Sequence, residues 1–129
     1  NEKIILMEDF AHHPTAIQMT LSGLRQKYID HKIIAAIELR SSTMKSGYHD
    51  DALIEATKEA DEVFWKSEDK TQIDKFIELD SSRSRLIQSV TETSKEIILG
   101  VEKDTLIIVM SNADFDGLSK KIIDKLKNG

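Results

Sequence analysis

Short apolar runs alternate along this chain with segments in which apolar residues recur every three or four positions. A short apolar run bounded by polar residues predicts a buried strand, and spacing by three and four predicts an amphipathic helix. After Pro14, the residues Ile17, Leu21, Leu24 and Tyr28 show the helical spacing. The two patterns alternate about five times, which predicts an α/β fold.

The predicted strands are apolar stretches with polar or charged ends, and the predicted helices carry an apolar stripe. We expect strands at Ile4–Met7, Lys32–Glu38, Glu62–Lys66, Arg85–Val90 and Thr105–Met110. We expect helices at Pro14–Tyr28, about Tyr48–Ala60, Gln72–Leu79 (which also fits a strand), Thr91–Val101 with Thr91 or Thr93 as its cap, and along Leu118, Ile122 and Leu126. This order predicts right-handed crossovers and a three-layer, Rossmann-like domain with a mostly parallel sheet.

Pro14 locates the start of the first helix. Its ring excludes the preceding residue from helical geometry, and its missing N–H costs nothing at the first helical position. His13 is therefore expected at the N-cap, where Ser, Thr, Asp and Asn are preferred over an imidazole. Because a residue that breaks a local rule is a candidate for function, His13, His12 and Asp9 are candidate site residues.

Composition narrows the possible functions. The 129 residues suit one domain, and 18 basic against 23 acidic side chains give a net charge of −5, which argues against a general nucleic-acid or membrane surface. No apolar run reaches the roughly 18 residues that a membrane span needs. The absence of cysteine excludes thiol catalysis, disulfides and thiolate metal sites, and it is consistent with a cytoplasmic location.

Three polar loops follow the first, second and fifth predicted strands and open on the same edge of a parallel sheet, where ligands bind. The second loop contains Arg40 and Lys45, and the third runs from Ser111 to Gly117. The planar guanidinium of Arg40 suits a carboxylate ligand. The same residue also fits a loop arginine paired with Glu38 or Asp50.

The Asp9 carboxylate is suited to bind a ribose or a metal-bound phosphate. It is equally suited to accept hydrogen bonds from the backbone amides of the turn. A zinc site is not favoured, because adjacent histidines project differently and no His-x-x-x-His pair is present. The remaining acidic pairs, Asp50-Asp51, Asp61-Glu62 and Glu68-Asp69, are interpreted as solvated.

The run Glu8-Asp9-Phe10-Ala11-His12-His13-Pro14-Thr15-Ala16-Ile17 resembles the opening motif of the C-terminal domain of Mur ligases, the ATP-dependent enzymes that form amide bonds in peptidoglycan synthesis. The resemblance extends from Lys3 to about Lys127. It implies the three-layer fold of that domain. It also implies a domain that closes over substrates held by an N-terminal UDP-binding domain and a central ATP-binding domain, both absent from this chain.

The resemblance assigns the first loop to the nucleotide and the incoming amine. Asp9 matches the family aspartate that contacts the bound nucleotide, and His12 or His13 would contact or orient the amine. ATP and Mg²⁺ are the implied cofactors. Both would be held mainly by the central domain, because this chain has five glycines and no Gly-x-x-x-x-Gly-Lys-Thr phosphate loop.

The other two loops match family positions near the incoming substrate. Arg40 matches an arginine that binds a substrate carboxylate, with Lys45 as a second contact, and Ser111 and Phe115 stand at positions close to that substrate. The chain departs from the expected loop sequences at Leu39 and Ser42, which replace Pro and Asn, and at Ala113, Asp114 and Asp116, which replace glycines.

Within the family, Phe10-Ala11 and the run from Arg40 to Lys45 are more similar to the member that joins L-alanyl-γ-D-glutamyl-meso-diaminopimelate to UDP-N-acetylmuramate in cell-wall recycling. The member that adds L-alanine to UDP-N-acetylmuramate is one alternative. A phosphorylation-switched receiver module is another, since its length and strand-helix alternation are similar. A receiver, however, needs an aspartate at the end of its third strand, where Trp65-Lys66-Ser67 stands, and a lysine after its fifth strand, where Ser111-Asn112 stands.

Overall fold

The computed structural model describes residues 4–10, 13–39, 50–67, 70–87, 89–101, 104–111 and 115–128. The strands are β1 (Ile4–Asp9), β2 (Lys32–Leu39), β3 (Glu62–Ser67), β4 (Ser84–Leu86) and β5 (Thr105–Met110). The helices are α1 (Pro14–Lys27), α2 (Asp50–Ala56), α3 (Lys70–Leu79), α4 (Val90–Leu99) and α5 (Leu118–Asn128), with a 3-10 turn at Phe115–Gly117.

The strands form one sheet in the order β1-β5-β2-β3-β4, and all of their pairings are parallel. The chain moves in one direction from β1 to β4 and then returns to β5. Because crossovers are right-handed, the outward and return helices lie on opposite faces. One core packs the sheet against Ile17, Leu21, Leu53, Ala56 and Phe76 of α1, α2 and α3, and a second core packs it against Ile97, Leu118 and Ile122 of α4 and α5.

This topology confirms the predicted α/β class, the parallel sheet and the helices on both faces. It also excludes the receiver alternative, whose strand order is 2-1-3-4-5 with the first strand inside the sheet. Here β1 lies at an edge of the described sheet and pairs with β5.

The predictions between β3 and β5 need correction. The expected strand Arg85–Val90 is shorter and starts earlier, at Ser84–Leu86, and Val90 already belongs to α4. The N-cap of α4 is Ser89, not Thr91 or Thr93, because the Ser89 hydroxyl accepts a hydrogen bond from the Glu92 amide at 3.2 Å. The ambiguous segment ending at Leu79 is helical.

Ion pairs join elements at the amino ends of the strands. Arg25 of α1 pairs with Asp61 at 3.0 Å, and the same carboxylate accepts a hydrogen bond from the Ile33 amide at 2.8 Å. Lys32, which opens β2, pairs with Glu62, which opens β3, at 2.8 Å. The Asp61 side chain is 48% exposed, as a solvated acid should be, but the prediction for the Asp61-Glu62 pair did not include these ion pairs.

Candidate functional site at the carboxyl edge of the sheet

β5 lies between β1 and β2, and the chain leaves β5 for the face opposite to α1 and α2. Loops that diverge to opposite faces leave a crevice outside the carboxyl ends of the strands, where ligands bind in open α/β sheets. The register places Met110 of β5 between Asp9 of β1 and Ile37 of β2. The three predicted loops therefore begin side by side.

Asp9 ends β1, and its side chain points to the face covered by α1. Its carboxylate accepts a long hydrogen bond of 3.4 Å from the hydroxyl of Thr20 in α1. Its backbone carbonyl accepts a hydrogen bond of 3.0 Å from the Ser111 amide. The loops after β1 and β5 are thus joined directly through their backbones, and the Asp9 carboxylate remains partly exposed beside them.

His13 caps α1 as predicted. Its backbone is extended, with φ −121° and ψ 145°, and its Nδ1 accepts a hydrogen bond from the Thr15 amide at 3.4 Å. Pro14 is the first helical residue and is buried, whereas the His13 imidazole is exposed at the carboxyl edge. The length of this contact is consistent with the poor capping ability of an imidazole.

Replacing His13 by Asn is expected to raise the free energy of unfolding by about 0.5–1 kcal/mol, because a short amide oxygen caps a helix better than an imidazole. The measurement is urea unfolding followed by circular dichroism. The matched control is Ser89→His at the cap of α4, where the 3.2 Å serine cap should be lost and stability should fall. A destabilised His13→Asn variant would show that the imidazole makes contacts that stability requires.

A second group of side chains lies at the ends of β2, β3 and β5. The Ser111 hydroxyl donates a hydrogen bond of 2.5 Å to one oxygen of Glu38, and the Lys66 ammonium lies 3.2 Å from the other oxygen. The same ammonium lies 5.7 Å from the centre of the Phe115 ring. We call Glu38, Lys66, Ser111 and Phe115 the Glu38 cluster.

Strand alternation explains why the Glu38 cluster and Asp9 occupy opposite faces. Successive residues of a strand point to opposite faces of the sheet. Ile37, Trp65 and Met110 belong to the core under α1, α2 and α3, so each following residue points to the face of α4 and α5. The carboxyl edge therefore carries two half-sites, with Asp9 and His13 on one face and the Glu38 cluster on the other.

The structure brings some predicted site residues together and leaves others undescribed. Asp9 and Ser111 meet at one edge as expected, whereas His12, Arg40 and Lys45 lie outside the described residues. The Phe115 ring is fully buried in the second core, and its backbone has the left-handed φ of 54°. A bulky residue rarely adopts that conformation, and the buried contacts of the ring stabilise it here.

Sequence reasoning missed Glu38 and Lys66 as members of the site. Glu38 is 3% exposed although it carries a charge, and the register pairs it with Lys66 on the next strand. The available signal was an acid at the end of an otherwise apolar run and a lysine at the same position of the following strand.

The described part of the chain lacks two further features. No three His, Asp or Glu side chains among these residues are arranged to hold a metal ion. No helix within the described ranges has the length and apolar character needed to cross a bilayer.

The sequence and the fold of this chain are similar to those of known proteins. Residues 1–113 match the family described as "Mur ligase, glutamate ligase domain". The UDP-N-acetylmuramate–L-alanyl-γ-D-glutamyl-meso-2,6-diaminoheptandioate ligase of Haemophilus influenzae is 37% identical over 134 residues, which cover 96% of this chain and 28% of that protein. A murein peptide ligase from Psychrobacter arcticus has a similar fold, with a TM-score of 0.85 and 34% identity over 99% of this chain and 28% of that one.

A solved domain assigned to the same class of ligase, from Haemophilus ducreyi, has a TM-score of 0.80 at 29% identity and is covered over 91% of its length by 95% of this chain. By contrast, the chain spans only 28% of the Haemophilus influenzae and Psychrobacter arcticus ligases. The family match covers most of the chain, and the solved neighbours share its fold. The chain belongs to the Mur ligase family, in which it corresponds to the glutamate ligase domain.

Proposed function

We propose that this chain is the substrate-closing domain of an ATP-dependent ligase that joins L-alanyl-γ-D-glutamyl-meso-diaminopimelate to UDP-N-acetylmuramate. The observation that carries the proposal is the 37% identity, over 96% of this chain, to the Haemophilus influenzae ligase. The 3.0 Å hydrogen bond from the Ser111 amide to the Asp9 carbonyl supports it, because Asp9 at the end of β1 and Ser111 after β5 lie side by side at the carboxyl edge of the sheet. The names of the Haemophilus influenzae and Psychrobacter arcticus relatives support the choice of substrate.

In the proposed reaction, ATP phosphorylates the lactyl carboxylate of UDP-N-acetylmuramate to give an acyl phosphate and ADP. The tripeptide amine then attacks the acyl carbon, the amide bond forms, phosphate leaves, and the amine loses a proton. Nothing in this scheme requires a nucleophile from the present chain. Its contribution is to orient the amine and to neutralise charge, and closure of the domain excludes water from the acyl phosphate.

The half-site with Asp9 and His13 would bind the nucleotide and the incoming amine. Asp9 would contact the nucleotide, and His12 or His13 would contact or orient the amine. ATP and Mg²⁺ would be held mainly by the central domain, because no phosphate loop is present in this sequence. Asp9 is thus the group in this chain that we assign to the nucleotide.

The other half-site suits a peptide with several carboxylates. Arg40 and Lys45 belong to the loop that follows β2, and that loop begins two residues after Glu38. An arginine binds a carboxylate through two parallel hydrogen bonds, which gives orientation as well as affinity. Ser111 and Phe115 flank residues 112–114, and because both are buried they would act near the substrate through packing.

A chimera tests the proposal directly. This chain replaces the matching 28% of the Haemophilus influenzae ligase, and product mass and phosphate release are measured with ATP, UDP-N-acetylmuramate and either the tripeptide or L-alanine. We expect ligation of the tripeptide and no ATP-dependent ligation by the present chain alone, which lacks a phosphate loop.

Two results would contradict the proposal. Preferential ligation of L-alanine would assign the domain to the alanine-adding member of the family. Binding of the tripeptide to the isolated chain, followed by nuclear magnetic resonance, guards against a chimera that is inactive because its domains fit poorly. An inactive chimera together with no tripeptide binding would overturn the assignment to the tripeptide.

A further inference from the structure

We propose that Glu38 is a positioning residue for the amino substrate, because it holds Lys66 and Ser111 so that the carboxyl ends of β2, β3 and β5 keep one relative arrangement. The inference rests on the proposed function and extends it. It assigns to Glu38 no contact with the substrate.

Burial and bonding make Glu38 an unusual residue for a central strand. Its carboxylate is 3% exposed, and a buried carboxylate is unfavourable unless it is paired and hydrogen-bonded. Lys66 lies 3.2 Å from one oxygen, and Ser111 donates a 2.5 Å hydrogen bond to the other. A carboxylate held from two sides in this way fixes both partners in turn.

Each partner lies next to a loop of the carboxyl edge. Glu38 precedes the loop with Arg40 by two residues, and Lys66 is the second-to-last residue of β3. Ser111 and Phe115 flank the short segment 112–114, and the Lys66 ammonium lies 5.7 Å from the Phe115 ring centre. The Glu38 cluster therefore connects the starts of three loops.

The opposite edge of the sheet supplies a matched control. Lys32 and Glu62 join β2 to β3 at their amino ends through a 2.8 Å ion pair, with the lysine on β2 and the acid on β3. Its side chains are 20% and 24% exposed, against 27% for Lys66 and 3% for Glu38. The same two strands thus carry one ion pair far from the candidate site and one inside it.

The test compares Glu38→Gln with Glu62→Gln in the complete ligase chimera. Glutamine keeps the size of the side chain and can still accept from Ser111, but it loses the charge that faces Lys66. We expect Glu38→Gln to raise KM for the amino substrate on the order of tenfold and to leave KM for ATP within about twofold. Glu62→Gln should leave both constants within about twofold.

The amino substrate in this test is whichever of the tripeptide and L-alanine the unmodified ligase uses, so the inference does not fail merely because the tripeptide assignment fails. Equal changes in both constants, or none, would overturn the inference and leave Glu38 as a structural residue. Ser111→Ala removes the 2.5 Å hydrogen bond to Glu38 and leaves the Glu38 carboxylate in place. If Glu38→Gln does not fold, this milder variant must raise KM for the amino substrate.

If the unmodified ligase uses neither amine, the proposed function has failed, and nuclear magnetic resonance of the isolated chain then decides about Glu38. The amide signals of Leu39, Ser111 and Phe115 should shift in Glu38→Gln and stay in place in Glu62→Gln. Unchanged signals at Ser111 and Phe115 in Glu38→Gln would overturn the inference independently of any ligation assay.

Discussion

Replacing Arg40 by alanine in the complete ligase is expected to raise KM for the tripeptide tenfold to about a hundredfold, while KM for ATP stays within about threefold. Under the proposed function, truncation removes both hydrogen bonds that the guanidinium would make to a substrate carboxylate. A charge-assisted contact of this kind is worth roughly 1.5–3 kcal/mol. Steady-state kinetics with one substrate varied at a time measures both constants.

Three variants control this experiment. Arg40→Lys keeps the charge but loses the planar pair of donors, so an intermediate rise in the tripeptide KM is expected. Arg85→Ala removes an arginine that interacts with the carbonyl of Ser84 at 3.1 Å in β4, and it should change neither constant. Asp9→Asn, in the other half-site, should weaken use of the nucleotide. Equal effects of Arg40→Ala on both constants would assign the loop to domain closure.

The sequence predicts the parts of this fold that depend on local pattern. The apolar run after Lys32 gives β2, Thr105–Met110 is a strand as expected, and Pro14 places the first helical turn with His13 as its cap. These predictions succeed because a buried strand and a proline at the first helical position each depend on a few neighbouring residues. The shared edge of Asp9 and Ser111 follows from the alternation of strands and helices.

Features that depend on pairing across the sheet could not be read from the sequence. The order β1-β5-β2-β3-β4 brings Glu38 next to Lys66 and within reach of Ser111, which is 73 residues further along the chain. Asp61 finds Arg25 for the same reason, 36 residues away. The residues next to an acid along the chain do not reveal such distant partners. The sequence therefore predicts a solvated Asp61 and a Glu38 that pairs with Arg40.

The short β4 shows a different limit. Only three of its residues pair with β3, and the last of these pairs joins Leu86 to Trp65. A strand of that length has little periodicity to detect, and its neighbour Val90 has an apolar side chain that extends the apparent run into α4. Tertiary contacts define the strand, and those of Trp65 with Ser84 and Leu86 are among them.

Trp65 is the largest fully buried side chain of the core under α1, α2 and α3. Its indole N–H donates to the Ser84 hydroxyl at 3.2 Å, and its ring centre lies 4.5 Å from that of Phe76 at an interplanar angle of 49°. One side chain of β3 therefore contacts both β4 and α3. Its removal would leave a cavity and an unsatisfied hydroxyl in the same region.

Trp65→Ala is expected to lower the free energy of unfolding by about 3–5 kcal/mol, the range observed when a buried aromatic side chain is truncated. Domains of this kind have a total stability of roughly 5–15 kcal/mol, so the variant should lose a large share of its stability. Trp65 is the one tryptophan of the chain, so the variant has no tryptophan fluorescence with which to follow unfolding. Circular dichroism with urea is therefore the suitable measurement.

Two variants distinguish the contribution of the Trp65 ring to stability from the effect of losing any apolar side chain. Trp65→Phe keeps an aromatic ring against Phe76 but loses the hydrogen bond to Ser84, so its loss of stability should be smaller than that of Trp65→Ala. Met19→Ala removes a side chain that is 70% exposed and should change stability by less than about 0.5 kcal/mol. If Trp65→Ala cost no more than Met19→Ala, the position of β4 could not depend on the Trp65 ring, and other contacts of β3 would have to define that edge of the sheet.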